Sequence, residues 1–136
     1  MKVKLEPGAF EPTRAHELDA GMDIKAYRGG LVRAGQSRSF RTGVHVQLPE
    51  NTVGLILPKS GLMVHNNILC FGVVDEGYTG EVIAHVFNHG ATDYEFSAGQ
   101  KIAQMVVVPV VRETVEIVDE IDGGERGERG FGSSGK

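Results

Sequence analysis

Apolar and polar residues alternate in several short segments of the chain, as they do in strands that bury one face and expose the other. Turn-forming residues, mainly Gly, Asn, Ser and Pro, separate these segments at short intervals. The pattern therefore predicts an all-β fold of the sandwich, barrel or jelly-roll type. The alternating segments are residues 3–5, 22–26, 44–48 and 81–87, and the turns fall at 28–30, 34–36, 49–51, 88–90 and 97–99.

Two segments depart from this alternation. Residues 60–66 have the pattern of about two helical turns, with Ser60 predicted as the N-cap residue. Residues 102–111 are apolar on both faces, which the exposed edge strand of a small monomer would not tolerate. We therefore expect one short helix, and one strand that is buried in a sheet or in a subunit interface.

The C-terminal segment, residues 122–136, differs in composition from the rest of the chain. It contains six glycines and a single aromatic residue, Phe131. Such a segment cannot build a hydrophobic core, so it is predicted to be a flexible arm. Glycines beside an aromatic ring also let backbone amides and the ring approach a flat ligand closely. The predicted organisation is a β-rich core domain in residues 1–121, followed by this glycine-rich arm.

The composition narrows the classes of function. The 136 residues, of which 40% are hydrophobic, suit one globular domain with a net charge of −4. A single cysteine allows no intrachain disulfide, which favours a reducing, cytoplasmic location. The sequence shows neither the apolar region of a signal peptide nor an apolar run that could span a membrane, so no membrane contact is expected. The negative charge argues against direct nucleic-acid binding.

Several possible chemical motifs do not hold up. Residues 130–136 have the G-x-x-x-x-G-K spacing of a P-loop, but the following Ser or Thr and the helix are missing. His85 and His89 lie on a predicted strand, where about 13 Å would separate them, so surface or turn histidines are favoured over a metal site. Cys70 is predicted to be a buried hydrophobe, and Ser60 lacks the G-x-S-x-G pattern of a nucleophile.

Asp23 and Asp75 are the carboxylates most suggestive of chemistry, because each lies beside a glycine-containing turn. Either one alone is more typical of a structural turn residue. Together with other residues they supply acids for Mg²⁺ and a water molecule, cations and amides for phosphates, and an aromatic ring for a base. The combination predicts a metal-bound nucleoside triphosphate as the ligand. The residues that complete the set are Lys59, Ser60, Gln104, Arg126 and Phe131.

Five segments in chain order resemble the five signature motifs of the trimeric dUTPase family, the dUTP diphosphatases. They are residues 20–26 (AGMDIKA), 58–62 (PKSGL), 72–81 (GVVDEGYTGE), 99–105 (GQKIAQM) and 126–135 (RGERGFGSSG). The resemblance implies a distorted jelly-roll β-barrel that forms a homotrimer, with each active site assembled from three subunits. The arm of one chain would close over a site formed by the other two chains.

The resemblance also implies a reaction, the Mg²⁺-dependent hydrolysis of dUTP to dUMP and pyrophosphate by in-line attack of water on the α-phosphorus. This reaction limits uracil in DNA and supplies dUMP for dTMP synthesis. By resemblance, Asp75 orients and deprotonates the water, and Asp23 holds Mg²⁺ through coordinated water. Lys59 and Arg126 would neutralise the phosphate chain, with Lys59 standing where the family more commonly has Arg.

The same motifs imply the contacts to the phosphates and the sugar. Ser60, Gly61 and Gln104 would bind the α- and β-phosphates. Tyr78 would pack under the deoxyribose, where a 2′-hydroxyl group would clash with the ring. The resemblance therefore predicts selection of deoxynucleotides over ribonucleotides at this residue.

Uracil recognition is implied for two elements. Phe131 of the arm would stack on the base, and main-chain groups of the hairpin at residues 66–78 would read its polar edge. The remaining substrate-binding positions that the motifs imply are Gly72, Gly132 and Ser133.

Two other functions stay open at this point. The first alternative is a dCTP deaminase, because the implied fold also resembles that of the dCTP deaminases. That family places a catalytic glutamate on the strand after the third motif, where this chain has His85. The second alternative is a nucleotide-sensing regulator that binds another protein when it holds dUTP. Release of pyrophosphate from dUTP would separate the hydrolase from these alternatives.

Overall fold

The computed structural model describes residues 1–124, 127 and 128 of the chain. The strands are β1 (Lys2–Leu5), β2 (Met22–Lys25), β3 (Gly30–Val32), β4 (Ser37–Gln47), β5 (Thr52–Leu57), β6 (Ile68–Cys70), β7 (Gly72–Val74), β8 (Glu81–Asn88), β9 (Tyr94–Phe96) and β10 (Lys101–Pro109), and the helix is α1 (Ser60–Asn66). The prediction of a mostly β fold with one short helix is confirmed. Within this described part, no helix has the length and apolar character that a membrane crossing requires.

The strands form two four-stranded sheets and one two-stranded sheet, and every pairing is antiparallel. The first sheet has the order β1-β4-β8-β6, the second has the order β2-β10-β5-β7, and β3 pairs with β9. Strands that follow each other along the chain are mostly not neighbours in a sheet, so the chain crosses repeatedly between the two larger sheets. The assignment of this sheet arrangement as a jelly roll stays a prediction.

Apolar side chains from all three sheets fill one hydrophobic core. In β8, Val82, Ala84 and Val86 are buried, whereas the equally apolar Ile83 and Phe87 face outward. Burial therefore alternates with the two-residue period of a strand that packs one face against the core. The largest fully buried side chains of the core include Phe96, Ile24, Ile68, Ile102 and Met105.

β10 lies inside the second sheet, between β2 and β5. Ile102, Ala103 and Met105 are buried there, which confirms that the doubly apolar segment belongs within a sheet. The strand ends at Pro109, and residues 110–124 contain no helix or strand. The division into a core of residues 1–121 and an arm of residues 122–136 stays a prediction.

Three local predictions were wrong. β1 exposes all four of its residues, because it lies at the edge of the first sheet. β2 buries three residues in succession, including Asp23, whose carboxylate is contacted by Lys59 and Lys101. Ser60 is the first residue of α1 and not its cap; the N-cap residue is Lys59, which makes no side-chain capping hydrogen bond.

Candidate active site

Antiparallel pairing places three of the motifs side by side in the second sheet. Asp23 on β2 is directly opposite Gln104 on β10, and Gln104 is directly opposite Leu57, the last residue of β5. Pro58 and Lys59 follow immediately. The first, second and fourth motifs therefore meet within one chain, in a group that we call the Asp23 cluster: Asp23, Lys59, Lys101 and Gln104.

The carboxylate of Asp23 is the electrostatic centre of this cluster. The residue is only 3% exposed, and Lys59 Nζ is paired with its Oδ1 while Lys101 Nζ lies 2.6 Å from its Oδ2. The Lys101 contact is poorly aligned, so among the described residues Oδ2 has an ionic neighbour but no well-directed hydrogen bond. Burial raises the pKa of Asp23, but the two lysines outweigh this effect and hold the pKa below its usual value.

The side chain of Gln104 connects β10 to the second motif. Its Nε2 donates a hydrogen bond of 3.0 Å to the Pro58 carbonyl. Gly21 leaves room for this side chain, because a Cβ at that position would collide with Gln104 Oε1. Directly opposed residues of an antiparallel pair project to the same face, so Gln104 and Asp23 lie on one side of the sheet. The predicted phosphate contact of Gln104 thus lies beside Lys59.

Lys101 is the member of this cluster that sequence analysis missed. Simple alternation would place Lys101 and Gln104, three residues apart, on opposite faces of β10. A β-bulge between Lys101 and Ala103 shifts the register, and Ile102 and Ala103 are buried in succession there. The bulge allows the lysine to reach Asp23. One feature of the sequence could have identified Lys101: it is a basic residue within the fourth motif, which is expected to bind phosphates.

Ser60 and Gly61 form the first turn of α1, directly after Lys59. Both residues are exposed, and a Cβ at Gly61 would meet open space. The first turn has no acidic residue, and the Lys59 side chain does not cap its backbone N–H groups. A hydroxyl group and backbone amides at the surface suit the predicted contact with phosphates.

Asp75 and Tyr78 belong to a turn after β7, which we call the Asp75 turn (residues 75–80). Val74, the last residue of β7, is opposite Gly54 of β5. The turn is closed by a hydrogen bond of 3.1 Å from the Tyr78 N–H to the Asp75 carbonyl, and Gly77 within it has φ +85°. Asp75 is exposed, so its carboxylate is accessible from solvent.

Neighbouring residues hold this turn in place. Glu76 accepts hydrogen bonds from Arg112 at 2.5 Å and from the Asn51 N–H at 2.8 Å, and these donors hold the pKa of Glu76 below its usual value. Tyr78 is 47% exposed, and its hydroxyl group donates a hydrogen bond of 3.0 Å to the Glu81 carbonyl. A cavity of about 550 Å³ opens beside Tyr78 and Arg112. The Asp75 turn is thus an ordered surface feature.

The sheet register separates the Asp75 turn from the Asp23 cluster. Leu57 pairs with β10 at the cluster, whereas Gly54 pairs with the end of β7, and three residues correspond to about 10 Å along β5. β2 and β7 are the two outer strands of this four-stranded sheet, which adds about 14 Å across the strands. Asp23 and Asp75 are therefore not brought together within one chain.

The predicted Mg²⁺ site contains a single carboxylate. Among residues 1–124, 127 and 128, no group of three or more His, Cys, Asp or Glu side chains could hold a metal ion. Mg²⁺ usually keeps several waters and is bound through one or two carboxylates together with substrate phosphates. Asp23 therefore fits a water-mediated contact completed by the substrate. Four further predicted site residues lie outside the described residues: Arg126, Phe131, Gly132 and Ser133.

The chain is similar to known dUTP-hydrolysing enzymes. A family model described as dUTPase matches residues 9–135 of the chain. The deoxyuridine 5′-triphosphate nucleotidohydrolase of Gloeothece citriformis is 42% identical over 139 residues, which cover 99% of this chain and 96% of the relative. The protein of the same name from Clostridium acetobutylicum is 40% identical with the same coverage.

Solved structures share the fold. The dUTPase of Staphylococcus bacteriophage 80alpha with dUPNHPP has a TM-score of 0.92 at 29% identity, and the match covers 99% of this chain and 98% of that chain. A mutant dUTPase from phage phi11 of S. aureus, described for the coordination of a structural Mg(II) ion, has a TM-score of 0.82 at 25% identity. That match covers 90% of this chain and 98% of the other.

Proposed function

This chain belongs to the dUTPase family and is a dUTP-hydrolysing enzyme, and we propose that its active site is shared between chains. In this arrangement the Asp23 cluster of one chain and the Asp75 turn of another act on the same substrate. The observation that carries the proposal is the separation of these two groups on the outer strands of one sheet. A site built within one chain would need them side by side.

The Asp23 cluster binds the triphosphate. Lys59 and Lys101 supply positive charge, and the Gln104 amide supplies N–H donors; phosphate oxygens prefer both. The Ser60 hydroxyl group and the Gly61 amide lie in the adjacent first turn of α1. Because Asp23 already holds both lysines in place, the cluster is preorganised, and binding requires little rearrangement of the backbone.

Asp75 acts as the general base on the attacking water. The water oxygen forms a bond to the α-phosphorus while the bond from that phosphorus to the bridging oxygen of the β-phosphate breaks. The proton of the water goes to the Asp75 carboxylate, and the electron pair of the broken bond leaves with pyrophosphate. An exposed carboxylate is suited to this role once a second chain and the substrate enclose it.

Asp23 is the residue that would hold Mg²⁺, through a coordinated water. When bound, the metal ion neutralises charge on the triphosphate oxygens and orients the chain of phosphates. The buried position of Asp23 and its low pKa keep the carboxylate ionised for this contact at neutral pH.

Tyr78 and the segment of β6 and β7 form the nucleoside end of the site. These two strands belong to different sheets and do not pair with each other, so the predicted hairpin at residues 66–78 was wrong. The half-exposed Tyr78 ring packs under the deoxyribose and excludes a 2′-hydroxyl group. Main-chain groups of residues 66–78, including Gly72, read uracil. The arm completes the site with Arg126 on the phosphates and with Phe131, Gly132 and Ser133 at the base.

The assembly that unites the two groups is a homotrimer of jelly-roll subunits. Two observations in the described chain support an assembly. β1 is an edge strand whose residues are all exposed. Beyond Pro109, four apolar side chains are more than 80% exposed, which a stable monomer would not favour. These side chains are Val111, Val115, Ile117 and Ile121.

Two residues, His85 and Cys70, bear on the deaminase alternative and on the cellular location of the protein. His85 stands where a deaminase would need a carboxylate, and its Nδ1 is bonded to Ser39 Oγ at 2.8 Å. That position therefore lacks the carboxylate that the deaminases use, which favours the hydrolase over the deaminase. The single cysteine, Cys70, is buried, and burial raises the pKa of its thiol to about 11. An unreactive lone thiol suits a cytoplasmic enzyme.

The experiment that tests this function measures pyrophosphate release from dUTP, dCTP, dTTP and UTP in the presence of Mg²⁺, with ammonia release from dCTP followed in parallel. We expect rapid pyrophosphate release from dUTP, slow release from the other three nucleotides, and no ammonia. Ammonia from dCTP would instead support the deaminase. Tight binding of dUTP without turnover would support the nucleotide-sensing regulator.

A further inference from the structure

Behind the Asp75 turn, the start of β8 packs against an irregular part of β4. Arg41 of β4 is opposite Ile83, and His45 is opposite Glu81, so three residues of β4 face one residue of β8. Such a bulge leaves backbone N–H groups outside the regular hydrogen-bond ladder. Gly43 lies within it at φ +68°, a conformation that favours glycine. The bulge is therefore specified by the sequence, and its amides need an acceptor.

The carboxylate of Glu81 is that acceptor. Its Oε1 accepts the N–H of Thr42 at 3.1 Å and the N–H of Gly43 at 2.7 Å. Its Oε2 accepts a hydrogen bond of 2.8 Å from Nε of Arg41. Burial raises the pKa of Glu81, but these donors outweigh burial and hold the pKa below its usual value. Three donors on β4 thus fix one ionised side chain.

The backbone at Glu81 in turn holds the ring of Tyr78. The Tyr78 hydroxyl group donates a hydrogen bond of 3.0 Å to the Glu81 carbonyl. Gly80 permits this approach, because a Cβ there would collide with the phenol. His45 Nδ1 donates a hydrogen bond of 3.0 Å to the Thr79 carbonyl, so a second contact from β4 fixes the same segment.

We propose that Glu81 is a positioning residue for Tyr78, and through it a determinant of the preference for dUTP over UTP. The inference rests on the proposed function, in which the Tyr78 ring excludes the 2′-hydroxyl group. Exclusion by steric clash requires a ring that cannot move aside. The Tyr78 ring is half-exposed, and its hydroxyl group is bonded to the Glu81 carbonyl.

The test is the ratio of kcat/KM for dUTP to kcat/KM for UTP. Glu81→Ala keeps the backbone carbonyl that accepts from Tyr78 but removes the carboxylate that fixes this backbone to the β4 bulge. The variant should lower the ratio about fivefold, the size expected if the hydrogen bond to the ring is no longer held in place. Glu81→Gln keeps an oxygen for the Thr42 and Gly43 amides and should retain the ratio to within about twofold. Glu95→Ala removes an exposed carboxylate on β9 and is the matched control, with no expected change in the ratio.

A double-variant cycle tests whether the Glu81 side chain and the Tyr78 hydroxyl group act together. Tyr78→Phe removes the hydroxyl group that bonds to the Glu81 carbonyl, so it should lower the ratio by a similar factor. Because the Glu81 carboxylate is proposed to act through the backbone that bonds to the Tyr78 hydroxyl group, the double variant should lose little more than either single variant. If Glu81→Ala does not fold, Glu81→Asp replaces it, because the shorter side chain cannot reach both amides and should also lower the ratio.

The outcomes distinguish positioning from a structural role. A folded Glu81→Ala variant with the wild-type ratio and a lower unfolding temperature would overturn the proposal, and so would additive losses in the double variant. A Glu81→Gln variant as unselective as Glu81→Ala would also overturn it. Failure of the proposed function has a different signature: the wild-type protein would not hydrolyse dUTP, or Tyr78→Ala would leave the ratio unchanged.

Discussion

The Asp23 cluster and the Asp75 turn lie on the two outer strands of the same sheet, and their carboxylates are in opposite environments. Asp23 is buried on a strand, and both of its oxygens face lysine ammonium groups. Asp75 is exposed in a turn, with its backbone carbonyl bonded to the Tyr78 N–H. The difference teaches that the two carboxylates suit different tasks: the paired, buried Asp23 is held in one position, whereas the exposed Asp75 is accessible to a molecule or chain outside its own.

The two environments also predict different effects of substitutions on stability and on activity. A buried ion pair that loses one partner leaves an uncompensated charge, which is strongly destabilising. An exposed side chain that touches little has almost no effect on folding. Substitutions at Asp23 should therefore change folding and turnover together, whereas substitutions at Asp75 should change turnover alone.

The largest effect is expected for Asp75→Asn. The amide keeps the shape of the side chain but cannot accept the proton of the water, so kcat should fall about 100-fold or more. The free energy of unfolding should stay within about 0.5 kcal/mol of the wild-type value. Steady-state hydrolysis of dUTP and urea unfolding measure the two quantities, with Glu95→Gln as the control. Wild-type turnover in Asp75→Asn would remove Asp75 from the mechanism.

The next effect concerns the pH dependence of stability at Asp23. Its folded pKa lies below the ordinary value of 3.8, so this group stabilises the wild-type protein above about pH 4 and loses that effect as the pH falls toward the folded pKa. Asp23→Asn should lower the free energy of unfolding by about 3 kcal/mol at pH 7. The difference between the two proteins should shrink in acid.

Urea unfolding at pH 7, 5 and 3, at one fixed protein concentration, measures this difference. The fixed concentration matters because assembly contributes to apparent stability. Parallel curves for the wild-type protein and Asp23→Asn would show that the two lysines do not stabilise the Asp23 carboxylate.

A smaller effect is expected for Lys101→Gln. The Lys101 side chain is about half-exposed, so its loss should change stability by less than about 1 kcal/mol. Removing one phosphate cation should raise KM for dUTP about threefold with kcat nearly unchanged. Lys25→Gln is the matched control, because Lys25 is paired with Lys101 in the sheet register but bonds to the Glu11 carbonyl instead of Asp23. Equal KM values in the two variants would exclude Lys101 from the site.

The sequence predicted the strands correctly where one face of the strand is buried and the other is exposed. β8 is the clearest case, since every second residue from Val82 to Asn88 is buried. β1 has a similar pattern but is exposed, because alternation does not say whether another element covers the apolar face. The same limit applies to Asp23, whose carboxylate is contacted by Lys59 and Lys101 from distant parts of the chain.

The motifs suggested the residue types of the candidate site and, by resemblance, its sharing between chains, whereas the separation of Asp23 and Asp75 within one chain came from the structure. The motifs identified Lys59, Gln104 and Asp75, because phosphate binding and water activation require cations, amides and a carboxylate. Lys101 was missed because a β-bulge reverses the face that alternation assigns to it. The distance between Asp23 and Asp75 depends on strand order and register, which short motifs do not encode.

The central claim is that one active site combines Asp23 of one chain with Asp75 of another. The direct measurement is dUTP hydrolysis after Asp23→Asn and Asp75→Asn proteins are unfolded together in equal amounts and refolded. If sites are shared, a random mixture should recover about a quarter of the wild-type activity, because each site has about a one-half chance of an intact residue from each of two chains. Activity no higher than that of the separately refolded variants, in a sample shown to contain mixed assemblies, would contradict the claim.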